Sequence, residues 1–187
     1  MLLRWAELRD IPRLQEIEKA ARARYLAVEG FSFALETPPI AATRLEQGGV
    51  VLAEEEGRVI GFILTNAMDG MLYIANISVA ISYSGHGIGT SLIDTADNQA
   101  LSSGLSGLVL TTFRKPRWNS PWFRKLGFEP LPQDLVGPAL RAALNRHSGF
   151  LDMKTRETLW RSFVRDTRAR RHQKRVAAGD RKGAAKP

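Results

Sequence analysis

A segment of alternating glycines is the first part of this chain whose residues suit a chemical task. Gly85, Gly87 and Gly89 occur in "SGHGIGTS", between a predicted strand and a predicted helix that begins near Ile88. Glycine tolerates positive φ and lets the backbone approach a ligand closely. Successive N–H groups at the positive end of a helix form a site for phosphate. The segment therefore predicts a pyrophosphate cradle; a tight strand-to-helix turn that binds no ligand is the alternative.

Two familiar nucleotide-binding motifs do not fit this loop. The Rossmann motif requires a third glycine at the position of Thr90 and an acidic residue about 20 residues later, where the chain has Leu105. A phosphate-binding loop of the NTPase type ends in Gly-Lys followed by Ser or Thr, and no lysine lies near this loop. Both assignments are therefore excluded.

A second segment, "LTTFRKPRWNSPWFRKLGFEP", follows the glycine loop and its predicted helix. Together with "ISVAISYSGHGIGTSLID", it resembles the two signatures of the GNAT superfamily of N-acetyltransferases, in particular the small bacterial-type enzymes. The order and spacing of the two signatures agree with the family, and the resemblance extends over residues 1–160. Two motifs in register are more specific than either motif alone.

The resemblance implies a fold and a co-substrate. The fold is an α/β domain with a mixed, mainly antiparallel sheet of six to seven strands, splayed where acetyl-CoA binds and flanked by helices. The backbone of Ile77 and Val79 would bind the pantetheine arm, Asn119 would contact the same arm, and Phe123 would lie near the thioester. The pyrophosphate would be held by the glycine loop, in which Ser84 replaces the usual Arg or Gln: Ser84, Gly85, His86, Gly87, Ile88, Gly89 and Thr90.

Two positions depart from the family where proton transfer is expected. Relatives commonly have a tyrosine at the position of Phe123 and a glutamate in the stretch where this chain has Ala75 and Asn76. A positioned acid or base contributes typically about 10²- to 10⁴-fold, whereas orientation of the reactants contributes up to roughly 7–11 kcal/mol. The chain is therefore predicted to be an N-acetyltransferase with atypical proton handling, and no catalytic residue is assigned. A catalytically silent acetyl-CoA-binding module, acting as a sensor or partner-binding protein, is the alternative.

Tyr73 and Tyr83 flank the end of the strand before the glycine loop and are candidate replacements for the missing acid, although packing in the sheet explains Tyr73 as well. Direct transfer to a primary amine of a small molecule or peptide is the expected reaction. Phe31, Phe33 and Leu35 are interpreted as an apolar substrate entrance or as core residues, and Glu29 and Glu36 as acids that either reach the substrate cleft or face solvent.

Hydrophobic periodicity supplies the elements that position these motifs. A meander of three antiparallel strands is followed by a βαβ unit, so the strands on either side of the glycine-loop helix should be parallel. "TRETLWRSF" is compatible with a strand or a helix. The predicted strands cover residues 2–6, 50–54, 59–66, 71–79 and "GLVLTTF", with a further strand from Phe128, and the predicted helices cover 11–25, 39–47, 88–102, 119–126 and 137–147.

Composition narrows the remaining possibilities. The chain has 187 residues, no cysteine and three histidines, so disulfides, thiol catalysis and a metal site are not expected.

The net charge of +8 lies in residues 161–187, which hold ten Lys or Arg and two Asp. We therefore predict an acetyltransferase domain over 1–162 and a basic, disordered tail over 163–187, through which weak non-specific nucleic-acid contact is a minor alternative. A cytoplasmic protein without a membrane span is expected, and a homodimer is left open.

Overall fold

The computed structural model describes residues 1–29, 40–149 and 151–163. These residues form one seven-stranded sheet in the order β1-β2-β3-β4-β5-β7-β6, in which only β4 and β5 are parallel. The predicted mixed, mainly antiparallel α/β fold is confirmed. The strands are β1 Leu2–Trp5, β2 Gly49–Glu55, β3 Arg58–Met68, β4 Met71–Val79, β5 Gly107–Phe113, β6 Glu129–Pro130 and β7 Arg156–Ser162.

Helices cover both faces of the sheet. On one face, α3 (Ile88–Ser102) and α4 (Ser120–Lys125) pack on alternate residues of the central strands. On the other face lie α1 (Ile11–Ala23) and α2 (Ala42–Gln47), together with α5 (Pro138–Ser148). Because successive strand residues point to opposite faces, each central strand contributes to two separate cores.

Two tight turns fix the register of the meander. Glu56-Gly57 joins β2 to β3, and Asp69-Gly70 joins β3 to β4, with positive φ at all four positions. Two-residue turns of this kind match the right-handed twist of antiparallel strands. They fix where β4 ends, and therefore where the glycine loop begins.

The parallel pair of strands separates after a short contact. β4 pairs with β5 only through Leu72–Ile74 against Leu108–Leu110, although β4 continues to Val79 and β5 to Phe113. β7 stays paired with β5 over the full length of β5. The last residues of β4 and β5 therefore border an open wedge in the middle of the sheet, in agreement with the predicted splay.

The ambiguous "TRETLWRSF" segment contains β7, which is antiparallel to β5. Phe163, placed at the start of the tail by the sequence, donates its N–H to the carbonyl of Ser106 and packs against the main core. The rest of the predicted tail lies outside the described residues, as do Phe31, Phe33, Leu35 and Glu36. Among the helices of the described ranges, none is long and apolar enough to cross a membrane.

Candidate active site

A cavity of about 770 Å³ passes through the wedge between β4 and β5. Its walls come from the ends of β4 and β5, the glycine loop, the segment before α4 and the C-terminal part of α1. The glycine loop and α4 lie on one face of the sheet and α1 lies on the other. The lining of the cavity therefore comes from both faces of the sheet, and ligand sites at strand ends of this kind are common in α/β proteins.

The glycine loop has the geometry of an anion site. Gly85 and Gly87 have φ of +86° and +80°, and an added Cβ at either position would meet no atom within 4 Å. Among the described residues, the N–H groups of Gly85, His86 and Gly87 have no backbone acceptor. The first N–H groups of α3, which begins at Ile88, also lack an intrahelical acceptor because of their position. Unpaired N–H groups therefore surround an open space at the positive end of a long helix.

Ser84 adds a side-chain donor beside this space. Its Oγ is buried and has no hydrogen-bond partner among the described residues. A buried hydroxyl without a partner is unfavourable, because it has lost its hydrogen bonds to water. The position that holds Arg or Gln in relatives therefore offers a hydroxyl that a ligand oxygen would satisfy.

The residues predicted from the sequence to bind the cofactor are brought together, with one exception. Ile77, Val79 and Ser84 line the cavity, as do Asn119 and Phe123. So do the remaining loop residues Gly85, Gly87, Ile88, Gly89 and Thr90. His86 is exposed and does not line the cavity. The His86 side chain is therefore given no role in this site, while its N–H remains one of the unpaired donors of the loop.

Phe123 lies in the wall of the cavity but belongs to the core. Its side chain is 4% exposed, and its ring contacts the rings of Trp122 and Phe128 at centroid distances of 4.7 and 5.3 Å. Gly89 permits the close approach of α3 to this aromatic group, since a Cβ there would lie 3.1 Å from Trp122 Cζ2. The position that carries a phenol in relatives is therefore an apolar packing position here.

A phenol reaches the same cavity from the other face of the sheet. Tyr25, just after α1, donates a hydrogen bond from its hydroxyl to Asn119 Oδ1 at 2.8 Å, and Asn119 Nδ2 donates to Thr112 Oγ1 at 2.9 Å. Phe113 and Trp118 contact its ring edge-on. Burial raises the pKa of Tyr25 above its usual value, while the hydrogen bond with Asn119 acts in the opposite sense. The Tyr25 hydroxyl therefore keeps its proton near neutral pH.

A carboxylate also lines the cavity. Glu18 is 8% exposed on the core-facing side of α1 and forms an ion pair with Arg22 at 3.2 Å, one helical turn later. Burial raises the pKa of Glu18, and the nearby Arg22 lowers it by a smaller amount. Carboxylates whose pKa values are raised by burial are frequent among catalytic bases.

Arg156, at the start of β7, lines the cavity beside the end of β5, where it pairs with Phe113. Its guanidinium packs over the ring of Phe113 at 4.4 Å and donates a hydrogen bond to the carbonyl of Thr111 at 2.7 Å. Its Nε is buried and has no hydrogen-bond partner in the described parts of the chain. Burial lowers the pKa of Arg156, and Tyr73 and Tyr25 oppose this shift.

The other proton-handling candidates have simpler surroundings. Ala75 and Asn76 line the cavity, and Asn76 Oδ1 accepts a hydrogen bond from Ser78 Oγ at 2.9 Å, so neither supplies a base. Tyr73 packs with Val109 and Leu140 in a separate core and does not line the cavity. Tyr83 does line the cavity, at the end that holds the glycine loop.

Sequence reasoning did not assign Glu18, Tyr25 or Arg156 to the site. Glu18 is on the core-facing stripe of α1 together with Leu14 and Ile17, and a carboxylate on such a stripe is unusual enough to signal a buried role. Tyr25 continues the same helical spacing in the sequence but lies in the turn after α1. Arg156 carries no comparable local signal, because its placement depends on the pairing of β7 with β5.

The described residues form an open α/β sheet whose two parallel strands separate beside the start of a long helix. In agreement, residues 46–130 match the family model described as acetyltransferase (GNAT) domain. The matched segment runs from β2 to β6 and includes the glycine loop and α4, so this part of the chain is similar to a GNAT acetyltransferase domain.

Solved structures show the same fold. A PaiA N-acetyltransferase from Thermoplasma acidophilum, in complex with coenzyme A, is 14% identical with a TM-score of 0.63, covering 87% of this chain and 98% of that one. A ribosomal-protein-alanine N-acetyltransferase from Brucella melitensis is 21% identical with a TM-score of 0.61, covering 87% and 100%. N-acetylglutamate synthase from Neisseria gonorrhoeae, complexed with coenzyme A and N-acetyl-glutamate, is 20% identical with a TM-score of 0.63, covering 88% of this chain and 35% of that one.

Proposed function

We propose that this protein is an acetyl-CoA-dependent N-acetyltransferase that transfers acetyl directly to a primary amine of a small molecule or peptide. The observation that carries the proposal is the cavity through the sheet. At one end are the unpaired N–H groups of the glycine loop, and at the other are the polar side chains of α1 and β7. Direct transfer requires donor and acceptor to meet in one site, and a cavity lined from both faces of the sheet supports this proposal.

The loop residues fit the phosphates of acetyl-CoA. Ser84 Oγ and the N–H groups of Gly85 to Thr90 would hold the pyrophosphate, where the open glycine positions leave room for it. The part of β4 that does not pair with β5, including Ile77 and Val79, would bind the pantetheine arm through the backbone of its free edge. Acetyl-CoA would supply the acetyl thioester. No group of acidic, histidine or cysteine side chains suited to a metal occurs among the described residues, and the proposal requires none.

The side chains of the cavity supply two groups for the protons of the reaction. Glu18 is suited to accept the proton that the acceptor ammonium must lose, because its carboxylate is buried and its pKa is raised. Tyr25 is suited to give a proton to the departing thiolate, because its hydroxyl faces the cavity in a hydrogen bond with Asn119. These residues would replace the groups missing at Ala75, Asn76 and Phe123.

The catalytically silent binder is retained as a second candidate function on a specific observation. Phe123 is packed against Trp122 and Phe128, so the wall beside the expected thioester position is apolar. A protein that only senses acetyl-CoA would need the loop but not Glu18 or Tyr25. A homodimer and a cytoplasmic location remain predictions, and neither of the two experiments described next depends on them.

Calorimetric titration with acetyl-CoA tests the binding part of the proposal. Gly87→Glu places a carboxylate in the loop and should weaken binding at least about 10-fold by bulk and like-charge repulsion. Gly57→Glu is the matched control, because Gly57 has a similar φ of +73° and equally open space but lies in the β2–β3 turn. Equal affinities in all three proteins would show that the loop is not the site.

Release of free thiol from acetyl-CoA over a broad amine panel tests transfer. The parent protein is expected to turn over, and Phe123→Tyr and the double variant Phe123→Tyr/Asn76→Glu are compared with it. A parent that binds acetyl-CoA but shows no turnover, whether or not the variants gain it, identifies the silent binder. This outcome leaves the binding result intact, so the two parts of the proposal fail separately.

A further inference from the structure

The charges of the cavity are strongly unequal. Among the described residues, its lining contains one carboxylate and five cationic side chains, namely Glu18 against Arg22, Arg24, Arg117, Lys125 and Arg156. Glu18 is paired with Arg22, and the guanidinium of Arg24 lies 4.5 Å from the ring centre of Trp118. A site for a simple cationic amine would be expected to have an excess of acids instead.

Arg156 is a partly buried cation of this lining, and it has no acidic partner among the described residues. In the described parts of the chain, no carboxylate lies within ion-pair distance of it, and its hydrogen bond to the Thr111 carbonyl uses one of the five N–H donors of the guanidinium. Its buried Nε has no partner. An enclosed cation without an anion is costly, so a ligand that supplies one gains binding energy.

The phosphates of acetyl-CoA are not placed to supply this anion. The next residue along β7, Glu157, points toward α4, where it forms ion pairs with Arg124 at 2.8 Å and Arg114 at 3.3 Å. Neighbouring strand residues point to opposite faces, so Arg156 lies on the face that carries α1. The glycine loop opens α3, which covers the other face. The sheet therefore separates Arg156 from the predicted phosphate cradle.

The position of Arg156 instead coincides with the predicted acceptor end of the cavity. Thr111, whose carbonyl accepts its hydrogen bond, is the first residue of β5 beyond the pairing with β4. The ring of Phe113, over which Arg156 packs, also contacts Tyr25. A guanidinium presents parallel donors that match the two oxygens of a carboxylate, which makes it selective for that group.

We propose that the acceptor is a small amino-carboxylate, whose carboxylate binds Arg156 while its amino group is directed toward Glu18 and the wedge. This inference rests on the proposed acetyl transfer. In the described lining, Glu18 and Arg156 would then be the partners of the two charges of a zwitterion. Amino acids with a free carboxylate would be acetylated, and the corresponding amines without it would not.

The test compares L-amino acids with their primary amides as acceptors in the thiol-release assay. Amino-acid amides have the less basic amine, so chemical reactivity at neutral pH favours the amides and cannot produce a preference for the acids. The full-length parent should prefer the free acids by at least about 10-fold in kcat/KM, within the discrimination that a polar site achieves against a ligand lacking its partner. Equal use of both series, or preference for the amides, would overturn the inference while leaving acetyl transfer established.

Variants separate ligand binding from a structural role of Arg156. Arg156→Met should raise KM for the acids at least about 10-fold and abolish the preference over the amides, and Arg156→Lys should restore part of it. Arg114→Met is the matched control, since Arg114 is exposed, lies outside the cavity lining and shares Glu157 with Arg124. Equal losses on acids and amides in both Arg156 variants, or weakened acetyl-CoA binding, would assign Arg156 to holding β5 and overturn the proposal.

A binding measurement decides the case in which no acceptor is acetylated. The parent, loaded with coenzyme A, is titrated calorimetrically with N-acetyl-L-amino acids and with their primary amides. Binding of the acids alone, lost in Arg156→Met and kept in Arg114→Met, supports the carboxylate site even though the proposed transfer has failed. No binding, or equal binding of acids and amides, contradicts it.

Discussion

Tyr25 combines a protonated hydroxyl with access to the cavity. Its hydrogen bond to Asn119 Oδ1 fixes the hydroxyl at the end of β5, and burial raises its pKa, so it remains a donor as the pH rises through neutrality. We expect Tyr25→Phe to lower kcat by about 10²- to 10⁴-fold, the range for one positioned acid, with little change in acetyl-CoA affinity. Steady-state kinetics and calorimetry on the same preparations measure the two quantities.

Two further variants make this prediction specific. Tyr83→Phe removes the other phenol of the cavity, at the loop end, and should cost less than about 10-fold. Adding Phe123→Tyr to Tyr25→Phe returns a phenol to the wall where relatives have one, and should recover part of the lost rate. A full rate in Tyr25→Phe with a large loss in Tyr83→Phe would instead assign the proton to Tyr83.

The site residues differ in how far the sequence alone could predict them. The glycine loop and Asn119 belong to contiguous motifs, and their places in the cavity wall follow from local geometry. Arg156 and Tyr25 come from elements far apart in the chain, and only the fold brings both against Phe113. Contacts of this kind depend on strand pairing and helix packing, which leave no mark in a short stretch of sequence.

The same distinction holds for the strands and helices. The meander was predicted because its turns contain Glu-Gly and Asp-Gly between alternating apolar residues, and both turns have the expected positive φ. In β7, the alternation of Arg156, Thr158 and Trp160 with Glu157 and Leu159 suits a strand. A segment this short is also compatible with a helix, so the local sequence alone could not decide between the two. Its pairing with β5 decides the matter.

A partly buried ion pair links the first strand to the turn that precedes the first helix. Arg4 on β1 donates to both carboxylate oxygens of Asp10, at 2.7 and 3.0 Å, and Asp10 also accepts from the N–H of Glu7 at 2.8 Å. The hydrogen bonds from Arg4 hold the pKa of Asp10 below its usual value, although burial acts in the opposite sense. The folded state therefore releases this proton more readily than the unfolded chain does.

The sign of this shift predicts a stability change in acid. Stability from Asp10 is fully present above the unfolded pKa, about 3.9, and is lost as the pH falls through the lower folded value. Asp10→Asn should lower the free energy of unfolding at pH 7 by about 1.5–3 kcal/mol, the range for a charged hydrogen bond, and should reduce the loss on acidification. Urea unfolding at pH 7 and at acid pH measures both effects. An unchanged acid dependence in Asp10→Asn would assign that dependence to other carboxylates.

Charge is distributed unevenly along the chain. Residues 161–187 contain ten Lys or Arg and two Asp out of 27 basic and 19 acidic residues in all, so residues 1–160 contain seventeen of each and have no net charge. The core clusters and the cavity lining lie within residues 1–163 among the described ranges. The basic excess and the candidate site therefore belong to separate parts of the sequence, and the two can be tested independently.

A chain ending at Phe163 is predicted to keep its fold and its acetyl-CoA affinity. Phe163 is retained because its N–H donates to the Ser106 carbonyl and its ring packs on the core. We expect the free energy of unfolding to change by no more than about 0.5 kcal/mol, as for surface changes.

The shortened chain also tests DNA association. If the basic segment drives association of the full chain with a generic DNA duplex, log K should fall linearly with log salt, and binding should be absent in the shortened chain. Calorimetry with acetyl-CoA and fluorescence anisotropy with a labelled duplex measure the two properties on the same pair of proteins. Loss of acetyl-CoA binding on truncation would place part of the site beyond residue 163, and duplex binding that survives truncation would assign it to the charge-balanced domain.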